Sequence, residues 1–97
     1  MKNNINLALQ VLPQTDSIHP YCVVDKAIEV IRDSGLTYKV CPFETVIEGD
    51  WDEVMTVVKK VHEVCYSNGT NHMMTYIKIQ TDKNDDVRIS DKMEKYE

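Results

Sequence analysis

Polar and apolar residues alternate near the start of the chain. In residues 5–12 the odd positions Ile5, Leu7, Leu9 and Val11 are all apolar, while the even positions mix Asn6, Ala8, Gln10 and Leu12. A period of two with one fully apolar face predicts a strand. Pro13 is expected to end it, because proline donates nothing to a ladder. After a polar loop, Pro20 suits the first turn of a helix, where its missing N–H costs nothing. Val24, Ala27, Ile28 and Ile31 then follow helical spacing, with Asp25, Lys26, Glu29 and Arg32 opposite them. Ser34-Gly35 stops that helix, the glycine taking a left-handed cap. Residues 36–41 and 43–48 read as two short strands around Pro42, pairing as an antiparallel hairpin. Asp50 is placed to cap a second helix, with Glu53 three residues on completing a box in which Asp replaces Ser or Thr. The apolar stripe of this helix is Val54, Val57, Val58, Val61 and Cys65, and Ser67-Asn68-Gly69 ends it. Residues 73–80 read as the last strand, with Thr75, Ile77 and Ile79 on one face and Met74, Tyr76, Lys78 and Gln80 on the other. Beyond a charged loop at 82–86, Ile89, Met93 and Tyr96 share helical spacing, so the tail is expected to form a short helix.

The order strand, helix, strand, strand, helix, strand predicts an α+β, ferredoxin-like βαββαβ sandwich. Its four-stranded antiparallel sheet carries both helices on one face, as right-handed crossovers require. The two helical segments echo each other in pattern, which supports the split arrangement. The helix-free face would then hold Ala8, Leu12, Met74 and Tyr76 beside Gln10 and Lys78. That mixture is too apolar for water, so the chain is expected to associate with itself, as a dimer or tetramer, with a polar pocket where subunits meet.

Length and charge narrow the functions. Residues 1–97 suit a single domain. Sixteen acidic and eleven basic residues give a formal net charge of -5, and the one adjacent basic pair, Lys59-Lys60, belongs to no larger patch. Nucleic acid is not an expected partner. No apolar run approaches a membrane span, and the first residues do not read as a signal peptide. Three widely spaced cysteines, Cys22, Cys41 and Cys65, fit reduced thiols, so a cytoplasmic location is expected.

Little catalytic chemistry is visible. His62 and Cys65 lie three apart on one helix, a spacing that metal ligands use, but no second pair accompanies them and no metal is expected. Nothing places a base beside Cys22 or Cys41, and no glycine-rich phosphate loop occurs. The acids offer more. Glu44 and Glu48 share a face of the second hairpin strand at period two. Glu48 suits backbone N–H groups near the start of the second helix. Glu44 is either solvated at its strand end or hydrogen-bonded to a ligand. A carboxylate pairs well with the amidine-like edge of an aminopyrimidine. Phe43, Tyr38 and Trp51 are flat surfaces for a cationic ring, or else hairpin packing and a cover for the helix start.

Several segments resemble the thiamine-binding-protein family: Leu9-Gln-Val-Leu-Pro13, Ala27-Ile-Glu-Val-Ile-Arg-Asp-Ser-Gly-Leu-Thr-Tyr38, Thr45-Val-Ile-Glu-Gly-Asp50 with Trp51-Asp-Glu-Val-Met55, and Thr75-Tyr-Ile-Lys-Ile79. The resemblance covers nearly the whole chain in order. It implies a ferredoxin-like fold, dimers associating into tetramers, and a pocket at a subunit interface. It further implies binding of thiamine or its hydroxymethylpyrimidine portion without catalysis, so that thiamine is a ligand and no catalytic cofactor is expected. Thr45, Glu48 and Gly49 match the family's motif, and Tyr38 matches the end of the Ser-Gly-Leu segment. Glu44 departs from it, standing where family members often carry a small residue. The residues leave two functions as expectations. In the first, Glu44 or Gln10 holds an aminopyrimidine edge, Thr45 adds a hydroxyl, and Tyr38 or Phe43 stacks. In the alternative, the chain is a regulatory or interaction module, its sheet face serves only oligomerisation, and Phe43 plugs the pocket. An enzyme is not expected.

Overall fold

The alternating segment at the start of the chain forms β1, Ile5–Thr15, the long central strand of a four-stranded antiparallel sheet. The structure is a computed structural model and describes residues 3–16 and 18–97. Helix α1 (Pro20–Asp33) leads to the hairpin β2 (Thr37–Val40) and β3 (Thr45–Gly49); α2 (Trp51–Ser67) and β4 (Thr70–Gln80) come next. A short α3 (Ile89–Met93) and a single 3-10 turn close the chain. The sheet order is β2-β3-β1-β4, the ferredoxin-like arrangement.

The odd residues of β1 face the helices. Leu7 pairs with Ile47 of β3 and Ile79 of β4, and Leu9 with Thr45 and Ile77. Ile5, Leu7, Leu9 and Ile47 meet Val23, Ala27 and Ile31 of α1 and Val54, Val57, Val58, Val61 and Cys65 of α2 in one buried cluster. All five stripe positions expected on α2 are therefore in the core. On α1 the stripe is rotated: Val23 is fully buried and Val24 only half so. Residues 23, 27 and 31 recur every four, and that row faces the sheet. Burial also pushes the Cys65 thiol above its ordinary pKa, since a thiolate would lose its hydration there.

Local chemistry fixes the ends. The Asp50 carboxylate accepts the Glu53 N–H at 2.8 Å and caps α2. Gly35 follows α1 at φ +80°, a left-handed conformation that costs other residues a Cβ clash. The His19 ring caps α1, its Nδ1 accepting from the Tyr21 N–H at 3.2 Å.

Three boundaries differ from expectation. Pro13 lies inside β1 rather than at its end, opposite Met73 of β4. Pairing of β1 with β3 stops at Leu9, so the residues beyond have a neighbour on one side only. Proline is tolerated at such an edge. Strand β4 begins three residues early, at Thr70. In the hairpin, Phe43 and Glu44 belong to the turn rather than to β3, whose ladder starts at Thr45; the Cys41 N–H closes this turn on the Glu44 carbonyl at 2.9 Å.

The tail crosses one end of the helix-free face. The Asn6 amide donates to the Val87 carbonyl at 3.0 Å, and the Ile89 N–H donates to Glu48 Oε1 at 2.6 Å. Lys92 Nζ reaches Gln80 Oε1 at 2.8 Å, and Lys39 pairs with Glu97. The other end of this face stays open, with Leu12, Met74 and Tyr76 substantially exposed. No described helix is long and apolar enough to cross a membrane.

Candidate functional site

The late start of β3 leaves a gap. Thr45 is the last residue paired with β1, opposite Leu9. Beyond Leu9, β1 continues to Thr15 with a bare edge. Every second residue of that segment turns its N–H and C=O to the open side, as strand geometry demands. Helix α1 passes over the gap and the β2–β3 turn closes its end. Between them lies a cavity of about 450 Å³, within the range that small-molecule ligands occupy.

Its walls are mostly apolar. Val24, Ala27, Ile28 and Ile31 come from α1, Leu9, Val11 and Pro13 from β1, and Val61 from α2. Lining residues with hydrogen-bonding side chains are few, Gln10, Gln14, Tyr21, Thr45 and Glu44; Gln10 is an even residue of β1 on the helix-free side, and Glu44 extends its carboxylate to Lys78 on that same side. Among the described lining residues, Glu44 carries the one charge. Two aromatic rings flank the cavity, Tyr21 from the first turn of α1 and Phe43 from the turn, 75% and 81% exposed. Such exposed rings offer faces to a flat ligand at little cost in rearrangement. The arrangement suits an aromatic heterocycle with a donor-rich edge or a positive charge.

Glu44 has a partner already. Lys78 of β4 reaches across β1 and places Nζ 2.9 Å from Glu44 Oε1. The Glu44 side chain is 27% exposed and that of Lys78 75%.

The structure brings four of the six candidate residues together. Gln10, Phe43, Glu44 and Thr45 all line the cavity, and Thr45 is buried. Tyr38 and Glu48 lie elsewhere. Tyr38 pairs with Ile47 in the β2–β3 ladder and packs on the core. Glu48 serves the tail, accepting the Ile89 N–H and, at 3.4 Å, the Asn6 amide. Trp51 likewise packs on the core at the start of α2. Sequence reasoning missed Tyr21 and the bare backbone edge of β1. The position of Tyr21, next to Pro20 at a helix start, was the one signal for the first. The second depends on where β3 begins.

His62 and Cys65 form no metal site. Cys65 is completely buried, and both ring nitrogens of His62 are engaged, Nδ1 donating to the Val58 carbonyl and Nε2 accepting from the Thr75 hydroxyl, each at 2.9 Å. No group of three or more metal-ligating side chains occurs among the described residues.

Comparison with known proteins gives the family and the fold. Residues 7–97 match the family described as thiamine-binding protein. A UPF0045 protein of Clostridium perfringens is 37% identical over 91 residues, covering 94% of this chain and 95% of the relative. A Bacillus cereus structure, a domain of unknown function called DUF77, superposes with a TM-score of 0.93 at 37% identity, over 98% of this chain and 91% of its own. A Thermotoga maritima structure with a provisional thiamine biosynthesis/salvage assignment superposes with a TM-score of 0.87 at 26% identity, over 97% and 99%.

Proposed function

The chain belongs to the thiamine-binding protein family, and from that membership we propose that it is a non-catalytic binder of thiamine or a related hydroxymethylpyrimidine. The observation that carries this reading is the charge pattern of the cavity: an apolar chamber of about 450 Å³ with one carboxylate, Glu44, among its described lining residues. The aminopyrimidine edge pairs with Glu44, assisted by the Gln10 amide. The Thr45 hydroxyl adds a further polar contact, and Phe43 and Tyr21 flank the ring. A cationic thiazolium gains from the same carboxylate and from the aromatic faces. The described lining residues pair no nucleophile with a base, which favours binding over turnover. No catalytic cofactor enters the proposal.

The site sits beside the open end of the helix-free face. Association of copies through Leu12, Met74 and Tyr76 would bring a second chain to the cavity mouth, so the proposal includes a homo-oligomer with the ligand near its interface. It also includes a cytoplasmic setting, where free cysteines persist.

Isothermal calorimetry tests the reading. The purified protein should release heat on titration with thiamine or with hydroxymethylpyrimidine. Glu44→Ala should weaken binding by about 1–3 kcal/mol, the cost of an unmet polar partner. Folded protein that gives no heat with either compound at millimolar concentration would remove the proposal.

A further inference from the structure

Lys78 stands outside the cavity lining, yet it pairs with Glu44, the one charged residue among the described lining residues. The two partners belong to strands that do not touch. Lys78 is on β4, opposite Ala8 of β1, and Ala8 is in turn opposite Val46 of β3. Glu44 precedes β3 by one residue. The Lys78 and Glu44 side chains therefore bridge β1 jointly, across about 10 Å between the outer strands. Ala8, the β1 residue between them, carries only a methyl group on this face. Nζ ends 2.9 Å from Oε1 of Glu44, and Glu44 makes no other ion pair among the described residues. Lys78 itself is mostly exposed, so its ammonium leaves the carboxylate without unfolding anything.

We infer that Lys78 is an electrostatic latch on the Glu44 carboxylate, one that an incoming ligand must displace and that sets the selectivity of the site between cationic and neutral ligands. This rests on the binding reading above. The physical basis is exchange. A thiamine cation that reaches Glu44 replaces one cation by another, so little net charge is neutralised and the ammonium left nearby repels the thiazolium. Neutral hydroxymethylpyrimidine displaces the same ammonium but suffers no such repulsion. Lys78 thus holds down affinity for the cation more than for the neutral pyrimidine. It also makes thiamine binding nearly insensitive to salt, because the screened attraction gained is offset by a screened attraction lost.

The test compares wild type with Lys78→Met and Lys78→Arg by calorimetry at low and at moderate sodium chloride. The exposed position of Lys78 keeps both variants folded. In Lys78→Met, thiamine should bind about two- to fivefold more tightly at low salt, the worth of an exposed ion pair. The gain for hydroxymethylpyrimidine should be smaller. Thiamine binding by this variant should weaken as salt rises, while wild type changes little. Lys78→Arg, which keeps the pair, should restore wild-type behaviour. Heat from wild type with unchanged affinity, selectivity and salt response in Lys78→Met overturns the latch and leaves the binding reading standing. Weaker binding in Lys78→Met makes Lys78 a ligand contact and also overturns it. Absence of heat from wild type and both variants overturns the latch together with the binding reading.

Discussion

Two carboxylates share the first turn of α2. Asp50 accepts the Glu53 N–H, and that hydrogen bond, before any other influence, holds its carboxyl below the ordinary carboxylate range. Glu53 is pushed the other way, first by a side-chain hydrogen bond to Asp50 that only its protonated form can donate and then by the Asp50 charge. The cap is readable in the sequence as Asp-x-x-Glu, but the pattern hides this conflict. In the usual box the capping residue is a neutral Ser or Thr, and the Glu then meets no like charge. The signs separate the two groups. The depressed Asp50 contributes stability that is present above its unfolded pKa and lost as the pH falls through its folded value. The raised Glu53 withholds stability wherever it is ionised in the fold. Glu53→Gln should therefore raise the melting temperature at pH 7, since the amide donates to Asp50 without a charge. The gain should fade as the pH falls into the carboxylate range, where protonated Glu53 becomes able to donate as well. Thermal melts of both proteins at pH 7 and pH 4 decide it; an equal gain at both pH values would refute the mechanism.

Among the elements, α2 is the most legible and the end of β1 the least. The α2 stripe follows from periodicity because one wide apolar face meets both α1 and the sheet. On α1, Val23 and Val24 are adjacent and equally apolar, so spacing alone does not choose between them; the sheet does, by meeting the row at 23, 27 and 31. Pro13 misleads for a related reason. Proline ends a strand with neighbours on both sides, and only the late start of β3, at Thr45, makes its position an edge. The core itself follows from alternation. Leu7 is wholly buried between β3, β4 and the helices, so Leu7→Ala should cost about 2–5 kcal/mol. A urea titration reads this directly, and a loss well under 1 kcal/mol would mean that the site collapses around the smaller residue. Thiol chemistry offers a second check at this scale. Cys22 is exposed on α1, whereas Cys65 is sealed under α2 with its thiol pushed up by burial. Ellman's reagent should label Cys22 promptly and Cys65 only after denaturant is added; prompt labelling of Cys65 would contradict the packing of α2.

At the scale of the whole molecule, the candidate site exists because two neighbouring strands of unequal length, β1 and β3, lie under one helix. Residues 43–45 and Gln10 are near one another on any ferredoxin-like reading, since β1 and β3 are neighbours, and this much is visible in the sequence. Tyr38 and Glu48 obey the same periodicities yet are spent on the core and the tail, which no spacing rule foretells. The tail has a second effect. By crossing the sheet at Asn6, Glu48 and Gln80 it covers one end of the helix-free face and leaves Leu12, Met74 and Tyr76 exposed on that face at the other, beside the cavity. Tyr76 is 53% exposed and Met74 56%, and the Tyr76 hydroxyl rests on the Met74 sulfur at 3.0 Å. Large apolar groups left together in water favour association, and a second copy offers the same patch in self-complementary form. The protein should therefore sediment as a dimer or larger assembly. Tyr76→Asp with Met74→Lys should shift it toward monomer without loss of helical circular dichroism, because neither side chain contributes to the core. If the ligand lies at that interface, the same double variant should also lose thiamine affinity, whereas a cavity complete within one chain would keep it. A wild-type protein that stays monomeric at high concentration would sever the face from both assembly and binding.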